Sequence, residues 1–286
     1  MRNYQAIFET IIKDTAQYLI KSGLKTLVNG ISGGIDSAVT SAISYEVVKR
    51  YPEEGFKFIA VSLPCSSNGD DENQSAMQVM HAFAKKGDYW AENLQKEYLL
   101  MKATCEQYLL SDNISQGNIK ARLRMIYLYN IASLTNGLVL DNSNMSEEQL
   151  GFWTMNGDVG VFSPIGNLWK HEVYELVDYL CENVYEPESD QYKALKTAYG
   201  LTPTDGNGVA VGGDMAQIAP GYTYTEVDDI LESYILFGDS ALDGLYEKYD
   251  YPTVTKVIER HKKSEFKRKH LPIKVDLDMF ANQVNQ

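Results

Sequence analysis

Residues 26–48 read TLVNGISGGIDSAVTSAISYEVV. Thr26 to Ile31 is a short apolar run that predicts a buried strand. Ser32-Gly33-Gly34 makes a turn. Asp36 or Ser37 then supplies a helix N-terminus for Ala38 to Val48, where Ala38, Val39, Ala42, Ile43 and Val47 recur at helical spacing. A strand, a glycine turn and a helix thus follow one another without a linker. Two glycines let the backbone approach a ligand with no Cβ in the way, and the turn amides point the same way as the free N–H groups of the next helix. Such an arrangement holds phosphate oxygens, and Ser32 and Ser37 add hydroxyl donors. On the glycines alone, a plain strand-to-helix turn is an equal reading. Asp36 shifts the balance, because a carboxylate beside phosphate-binding amides needs a cation between the two negative groups, for which Mg²⁺ is the natural choice. Asp36 also has a plainer reading as a helix cap.

Outward from this segment, Ile7, Ile11, Ile12, Ala16 and Leu19 predict an amphipathic helix ending near Gly23. Phe58 to Leu63 predicts a second strand, stopped by Pro64, with a helix over Asn73 to Lys85. Helical spacing recurs over 93–110 and 118–134, and Leu138 to Leu140 forms a third compact apolar run. Strands alternating with helices predict an α/β fold, a Rossmann-like parallel sheet with helices on both faces. From Pro187 to Tyr222 the chain reads as a long glycine-rich loop, a length that more often serves as a functional lid than as a connector. Helices resume over Thr225 to Leu236 and Thr253 to Lys267. No repeat or linker divides the chain, so residues 1–286 are expected to form one domain with C-terminal helical additions.

The 286 residues carry a formal net charge of −13, which argues against nucleic acid and anionic lipid as partners. The charge is uneven: Lys256 to Lys274 holds eight Lys/Arg against Glu259 and Glu265. Cys65, Cys105 and Cys181 are far apart and form no CxxC pair, so free buried thiols are expected rather than disulfides or a zinc ribbon. The opening MRNYQAIFETIIKD lacks the apolar core of a signal peptide, and no run reaches the roughly 18 apolar residues of a membrane span. A cytoplasmic protein is expected. Neither GxxxxGK[ST] nor a GxGxxG after a strand occurs, which disfavours Walker ATPases and Rossmann dehydrogenases; the four histidines form no HExxH.

SGGIDS after a first strand resembles the PP-loop of the ATP pyrophosphatases, enzymes of adenine nucleotide alpha hydrolase-like fold that cleave ATP to AMP and pyrophosphate. Within that superfamily, GNIKARLRM (117–125) and GLVLDNSNMSEEQLGFWTMNGDVG (137–160) resemble segments of the NAD synthetases. So do SLP…DD (62–71), PIGNLWKHEVYEL (164–176), GYTYTEVDDIL (221–231) and the tail KSEFKRKHLPI. They fall in the family's order over nearly the whole chain. The resemblance implies adenylation of the nicotinate carboxylate of deamido-NAD by MgATP, then attack by ammonia to give NAD, AMP and pyrophosphate.

On this resemblance Gly30, Ile31, Ser32, Gly33, Gly34, Ile35, Asp36 and Ser37 would cradle ATP, with Asn142, Lys170 and Thr204 as further ATP contacts. Asp36 and Glu147 would hold Mg²⁺, Lys170 would neutralise phosphate charge, and Arg122 and Lys267 would bind deamido-NAD. A homodimer is also implied. The length leaves no room for a glutaminase beside the synthetase, so free ammonia, or ammonia delivered by another protein, is expected. By itself Glu147 also reads as a first-turn glutamate answering a helix dipole, and Arg122 and Lys267 as solvated surface charges. The family pattern is altered at Asn142, which stands where many members have threonine, and at Met155, Phe162 and Phe266, where substrate-side polar residues are usual. These changes keep two other readings open: a PP-loop ligase with a different carboxylic acid acceptor, and a weakly active nucleotide-binding homologue.

Overall fold

A computed structural model of the chain describes residues 2–107, 112–157, 159–204 and 217–269. Four strands form one parallel sheet: β1 (Thr26–Gly30), β2 (Lys57–Ser62), β3 (Tyr89–Ala91) and β4 (Gly137–Val139), in the order β3-β2-β1-β4. β1 is central, pairing Leu27 with Phe58 on one side and with Leu138 on the other. The side chains alternate across the sheet. Leu27, Phe58, Ala60 and Leu138 point into one hydrophobic cluster, while Val28, Ile59, Val61 and Val139 point into another.

The first cluster lies beneath α1 (Tyr4–Ser22), α2 (Ile35–Arg50), α3 (Asp70–Phe83), α7 (Lys170–Asn183) and α8 (Asp190–Gly200). The second lies beneath α4 (Gln95–Glu106) and α5 (Asn113–Leu134). Both faces of the sheet are therefore covered, as the alternation predicts. A third cluster joins the short α6 (Met145–Leu150) to the helices Tyr224–Phe237, Leu242–Lys248 and Tyr251–Lys263. α2 is buried along nearly its whole circumference because α1, α3, α7 and α8 all pack on it.

Several details differ from the sequence reading. α2 starts at Ile35 with Gly34 as its N-cap and no side-chain cap, so neither Asp36 nor Ser37 is the cap. The span expected to be loop from Pro187 contains α8, capped by Ser189 and burying Ala194, Leu195 and Ala198 against α3 and α7. The glycine-rich part at 205–216 and the tail beyond 269 lie outside the described residues. Helix Tyr251–Lys263 ends before Lys267, and a 3₁₀ turn, Glu265–Arg268, takes over. Cys65 and Cys181 are buried free thiols, but Cys105 is exposed, because α4 rests on the sheet chiefly through Tyr98. No helix among the described residues is long and apolar enough to cross a membrane.

α1 is fixed to the fold by Phe8, fully buried, whose ring meets Tyr179 of α7 edge-on at 6.4 Å and lies 5.6 Å from the Arg50 guanidinium. Phe8→Ala should destabilise the chain by about 3–5 kcal/mol, read from the midpoint of urea unfolding. A midpoint unchanged from wild type would contradict the packing described.

Candidate active site

The strand order reverses between β1 and β4, and in open α/β sheets ligands bind outside the carboxyl ends of the strands at such a point. Here that crevice opens into a cavity of about 390 Å³. Gly30, Ile31, Ser32, Gly34, Ile35, Asp36 and Ser37 wall it on the β1 side, Asn142 on the β4 side. The N-terminus of α2 faces into it. Ile31 continues the strand by donating to Val61 at 2.8 Å. Ser32 Oγ accepts from the Gly34 amide at 3.2 Å, and Ser37 Oγ donates to the Gly34 carbonyl at 3.0 Å, so side chains within the loop fix its shape. Gly33 has φ +93, and a Cβ there would lie 2.1 Å from the Glu72 carbonyl. α3 presses on the loop at that point, with Ser75 Oγ donating to the Gly33 carbonyl at 2.7 Å. Gly33 thus serves the approach of α3 and does not itself line the cavity.

Three charged side chains from three helices converge at the cavity wall. The Lys170 ammonium, at the first position of α7, bonds Asp36 of α2 and lies 3.2 Å from Glu147 Oε1 of α6. Lys170 is 1% exposed. Burial opposes its charge, yet the carboxylates of Asp36 and Glu147 outweigh that and hold its pKa well above the usual lysine value. Glu147 does two jobs at once. Its Oε2 accepts from the Asn144 amide at 3.3 Å while Asn144 Oδ1 accepts from the Glu147 amide at 3.1 Å, a capping box that starts α6. The first-turn reading of Glu147 and its site reading therefore both hold. Asn144 Nδ2 also donates to Asp36 at 2.9 Å.

Asn142 Nδ2 donates to Asn29 Oδ1 at 2.9 Å and to the Gly30 carbonyl at 3.0 Å, which turns Oδ1 the other way. That Oδ1 is buried without a partner among the described residues. It is an acceptor whose direction is set by the two bonds of its own amide nitrogen. Thr204 lines the same cavity and donates to Glu72 Oε1 at 2.5 Å.

Arg122 is not in this cavity. It lines a second one of about 970 Å³ and donates to the Met155 carbonyl at 3.2 Å. Lys267 lines both cavities and donates to the Gly151 and Trp153 carbonyls. The two spaces share Met125, Ser143, Trp153 and Lys267, so the 151–157 segment forms the wall between them.

The altered family positions fall elsewhere. Phe162 stacks on Tyr18 with ring centroids 4.8 Å apart, Phe266 is 51% exposed, and Met155 meets Arg122 only through its carbonyl. None of the three side chains lines either cavity. Asp158 of the same motif lies outside the described residues.

Other residues at the site have no functional role in the sequence reading, where Arg124 reads with Arg122 as a solvated helix face. Arg124 donates to the Leu63 carbonyl at 3.0 Å and to Asn68 at 3.1 Å, and Arg260 stacks over the Phe152 ring at 4.1 Å; all line the first cavity. Asn144 had a legible signal, the N-x-x-E spacing of a capping box. Arg260 had none beyond membership of a basic run.

No group of three or more His, Cys, Asp or Glu among the described residues is placed to hold a metal. The pair Asp36 and Glu147, already sharing one ammonium, suits a hard divalent cation that takes one or two carboxylates and fills its shell with water and phosphate oxygens.

The family model described as NAD synthase matches residues 7–271. The ammonia-dependent NAD synthetase of Syntrophomonas wolfei is 33% identical over 240 residues, 81% of this chain and 85% of that protein. The enzyme of the same name from Carboxydothermus hydrogenoformans is 31% identical over 264 residues, 91% of this chain and 96% of that one. Among solved structures, the ammonia-dependent NAD synthetase of Campylobacter jejuni with a nitrate ion superposes with a TM-score of 0.71 at 25% identity, over 96% of this chain and all of that one. The NMN synthetase of Francisella tularensis shares the fold with a TM-score of 0.77 at 24% identity, over the same shares.

The contact at Gly33 has a direct consequence. Gly33→Ala places a Cβ against α3 at a backbone angle that alanine resists, and should cost about 2 kcal/mol or more of stability together with nucleotide affinity. Thermal unfolding with and without ATP reads both effects.

Proposed function

The chain belongs to the NAD synthase family, and we infer from this that it is an ammonia-dependent NAD synthetase, a ligase that uses ATP to amidate deamido-NAD. The nicotinate carboxylate attacks the α-phosphorus of ATP, forming the acyl–adenylate bond as the bond to pyrophosphate breaks. Ammonia then adds to the acyl carbon, AMP leaves with its oxygen, and the nitrogen loses a proton to give the amide. A free carboxylate is a poor acyl donor; the mixed anhydride supplies the leaving group.

The site residues take the following roles in this proposal. The amides of the 30–37 loop and the α2 N-terminus hold the β- and γ-phosphates, supported by the orientation of that terminus into the cavity. Asn142 Oδ1, an acceptor without a partner among the described residues, takes a donor from the nucleotide. Asp36 and Glu147 would hold Mg²⁺, which would supply positive charge to the departing pyrophosphate. Lys170 neutralises charge that grows on the phosphates, so its contribution is electrostatic and needs no proton transfer. Thr204 closes the ATP side, Arg122 the deamido-NAD side, and Lys267 the boundary between them.

Residues 1–286 are proposed to work as one domain, supported by a first cavity lined both from the sheet edge and from Arg260 and Lys267 of the C-terminal helices. A homodimer is proposed as well, supported by exposed Leu99 and Leu100 on α4 and Ile126 and Leu134 on α5. A cytoplasmic setting follows from the need for ATP. The reading with another acceptor acid rested on Met155, Phe162 and Phe266, and none of these lines either cavity; the NAD synthase family match favours deamido-NAD.

The observation that carries the proposal is the shared ammonium of Lys170 on Asp36 and Glu147 at the mouth of the phosphate loop. Incubation with MgATP, ammonium and deamido-NAD should yield NAD, AMP and pyrophosphate in equal amounts. Pyrophosphate without NAD would overturn the assignment. Asp36→Asn keeps the shape and removes a charge; turnover should fall about a hundredfold or more. Lys267→Ala should raise KM for deamido-NAD about tenfold, whereas Lys262→Ala, at an exposed position, should leave it near wild type. Equal effects of the two would return Lys267 to the ordinary surface. Sedimentation velocity reads the oligomeric state.

A further inference from the structure

Lys170 starts α7 and Glu147 sits in the first turn of α6, so the meeting of their charges depends on how the two helix N-termini are set against each other. A fully buried carboxylate behind them joins the two helix starts. Asp228, on the helix Tyr224–Phe237, is 0% exposed. Its Oδ1 accepts from Ser146 Oγ at 2.5 Å, and that same hydroxyl accepts from the Lys170 amide at 2.8 Å. Its Oδ2 accepts from the His171 amide at 3.1 Å and meets His171 Nδ1 at 2.8 Å. The Asp228 hydrogen bond pushes the His171 imidazole pKa up. One turn earlier on the same helix, the Tyr224 ring lies 5.5 Å from the Lys170 ammonium.

The contacts fall on the immediate chain neighbours of the two charged residues: Ser146 precedes Glu147, and His171 follows Lys170. Asp228, Ser146, His171 and Tyr224 line neither cavity. A buried carboxylate is costly to desolvate, and a residue chosen for packing alone would be apolar. A carboxylate with both oxygens engaged by two different helix starts fixes their separation and rotation.

We propose that Asp228 is a positioning residue for ATP activation, holding the α6 and α7 N-termini in register so that Lys170 reaches Asp36 and Glu147 together. This rests on the reading of Lys170 as the group that neutralises phosphate charge. None of the four network residues lines the second cavity, where Arg122 is proposed to hold the body of the deamido-NAD dinucleotide.

The test uses the full chain at saturating MgATP and ammonium, with deamido-NAD varied. In Asp228→Asn, kcat should fall about 10- to 100-fold per folded molecule while KM for deamido-NAD stays within about threefold. Calorimetric titration with ATP alone should weaken in the same variant. A purely structural residue would lower Tm and leave kcat per folded molecule unchanged, and that result overturns the proposal. Ser146→Ala removes only the hydroxyl link and should lower kcat about fivefold with little change in Tm. If Asp228→Asn does not fold, this second variant decides, unchanged kcat again being the contrary result. Lys170→Ala separates the two layers of inference. Wild-type turnover in Lys170→Ala would remove the reading of the site itself. Loss there, with wild-type kcat in both Asp228→Asn and Ser146→Ala, would remove the positioning role alone.

Discussion

One ammonium group between two carboxylates organises this molecule. Lys170 lies out of water, and an isolated buried charge is not tolerated in a protein interior. Its two partners come from α2 and α6, while Lys170 itself begins α7. Satisfying that charge requires three helix N-termini to meet at one place. Their dipoles present positive ends there, which further favours the acidic partners and, in the proposed complex, phosphate. Removal of either carboxylate leaves the buried ammonium with a single ion-pair partner, so charge and local order at this point are coupled.

The rest of the architecture makes that meeting possible. β1 and β4 end side by side, and the chain leaves them in different directions: β1 into the glycine loop and α2, β4 into Asn142 and the capped start of α6. The glycine at position 33 allows α3 to close on the loop from behind, so the loop's shape is held by a helix as well as by its own serines. The C-terminal helices form a separate hydrophobic cluster, yet they reach the centre through Asp228 and Tyr224. Their basic residues hold carbonyls of the neighbouring segment: Arg260 binds Leu150, Arg268 binds Gln149, and Lys267 binds Gly151 and Trp153. Within a chain of net charge −13, positive charge is thus concentrated where two cavities meet.

At two of the altered family positions the side-chain contacts are not legible from the linear motif. Phe162 makes a bridge with Leu140, just past the end of β4, and its ring meets Tyr18 of α1. Read along the sequence it sits inside a substrate motif; in space it is a packing residue. Met155 contributes a carbonyl, an atom that every residue type possesses, so its side chain does not decide the Arg122 contact.

Residue spacing alone makes legible the strand–glycine turn–helix unit, the parallel α/β sheet and the loop that lines the first cavity, and the motifs around Asp36, Glu147 and Lys170 carry the family resemblance. These are properties of local spacing: alternation and helical period record which face is buried, and glycine records where the backbone must come close. Residue spacing did not determine the exact start of α2, the helix α8 within an apparent loop, or the network through Asp228. α8 was hidden because its short apolar face, Ala194, Leu195 and Ala198, has meaning only against α3 and α7. The meeting of Ser146, His171 and Asp228 is a product of the folded state, since hydrogen bonds between residues some 57 to 82 positions apart leave no periodic trace in the chain. The tertiary structure decided too that Arg122 and the phosphate loop face different cavities, because the separation depends on how the 151–157 segment crosses between them.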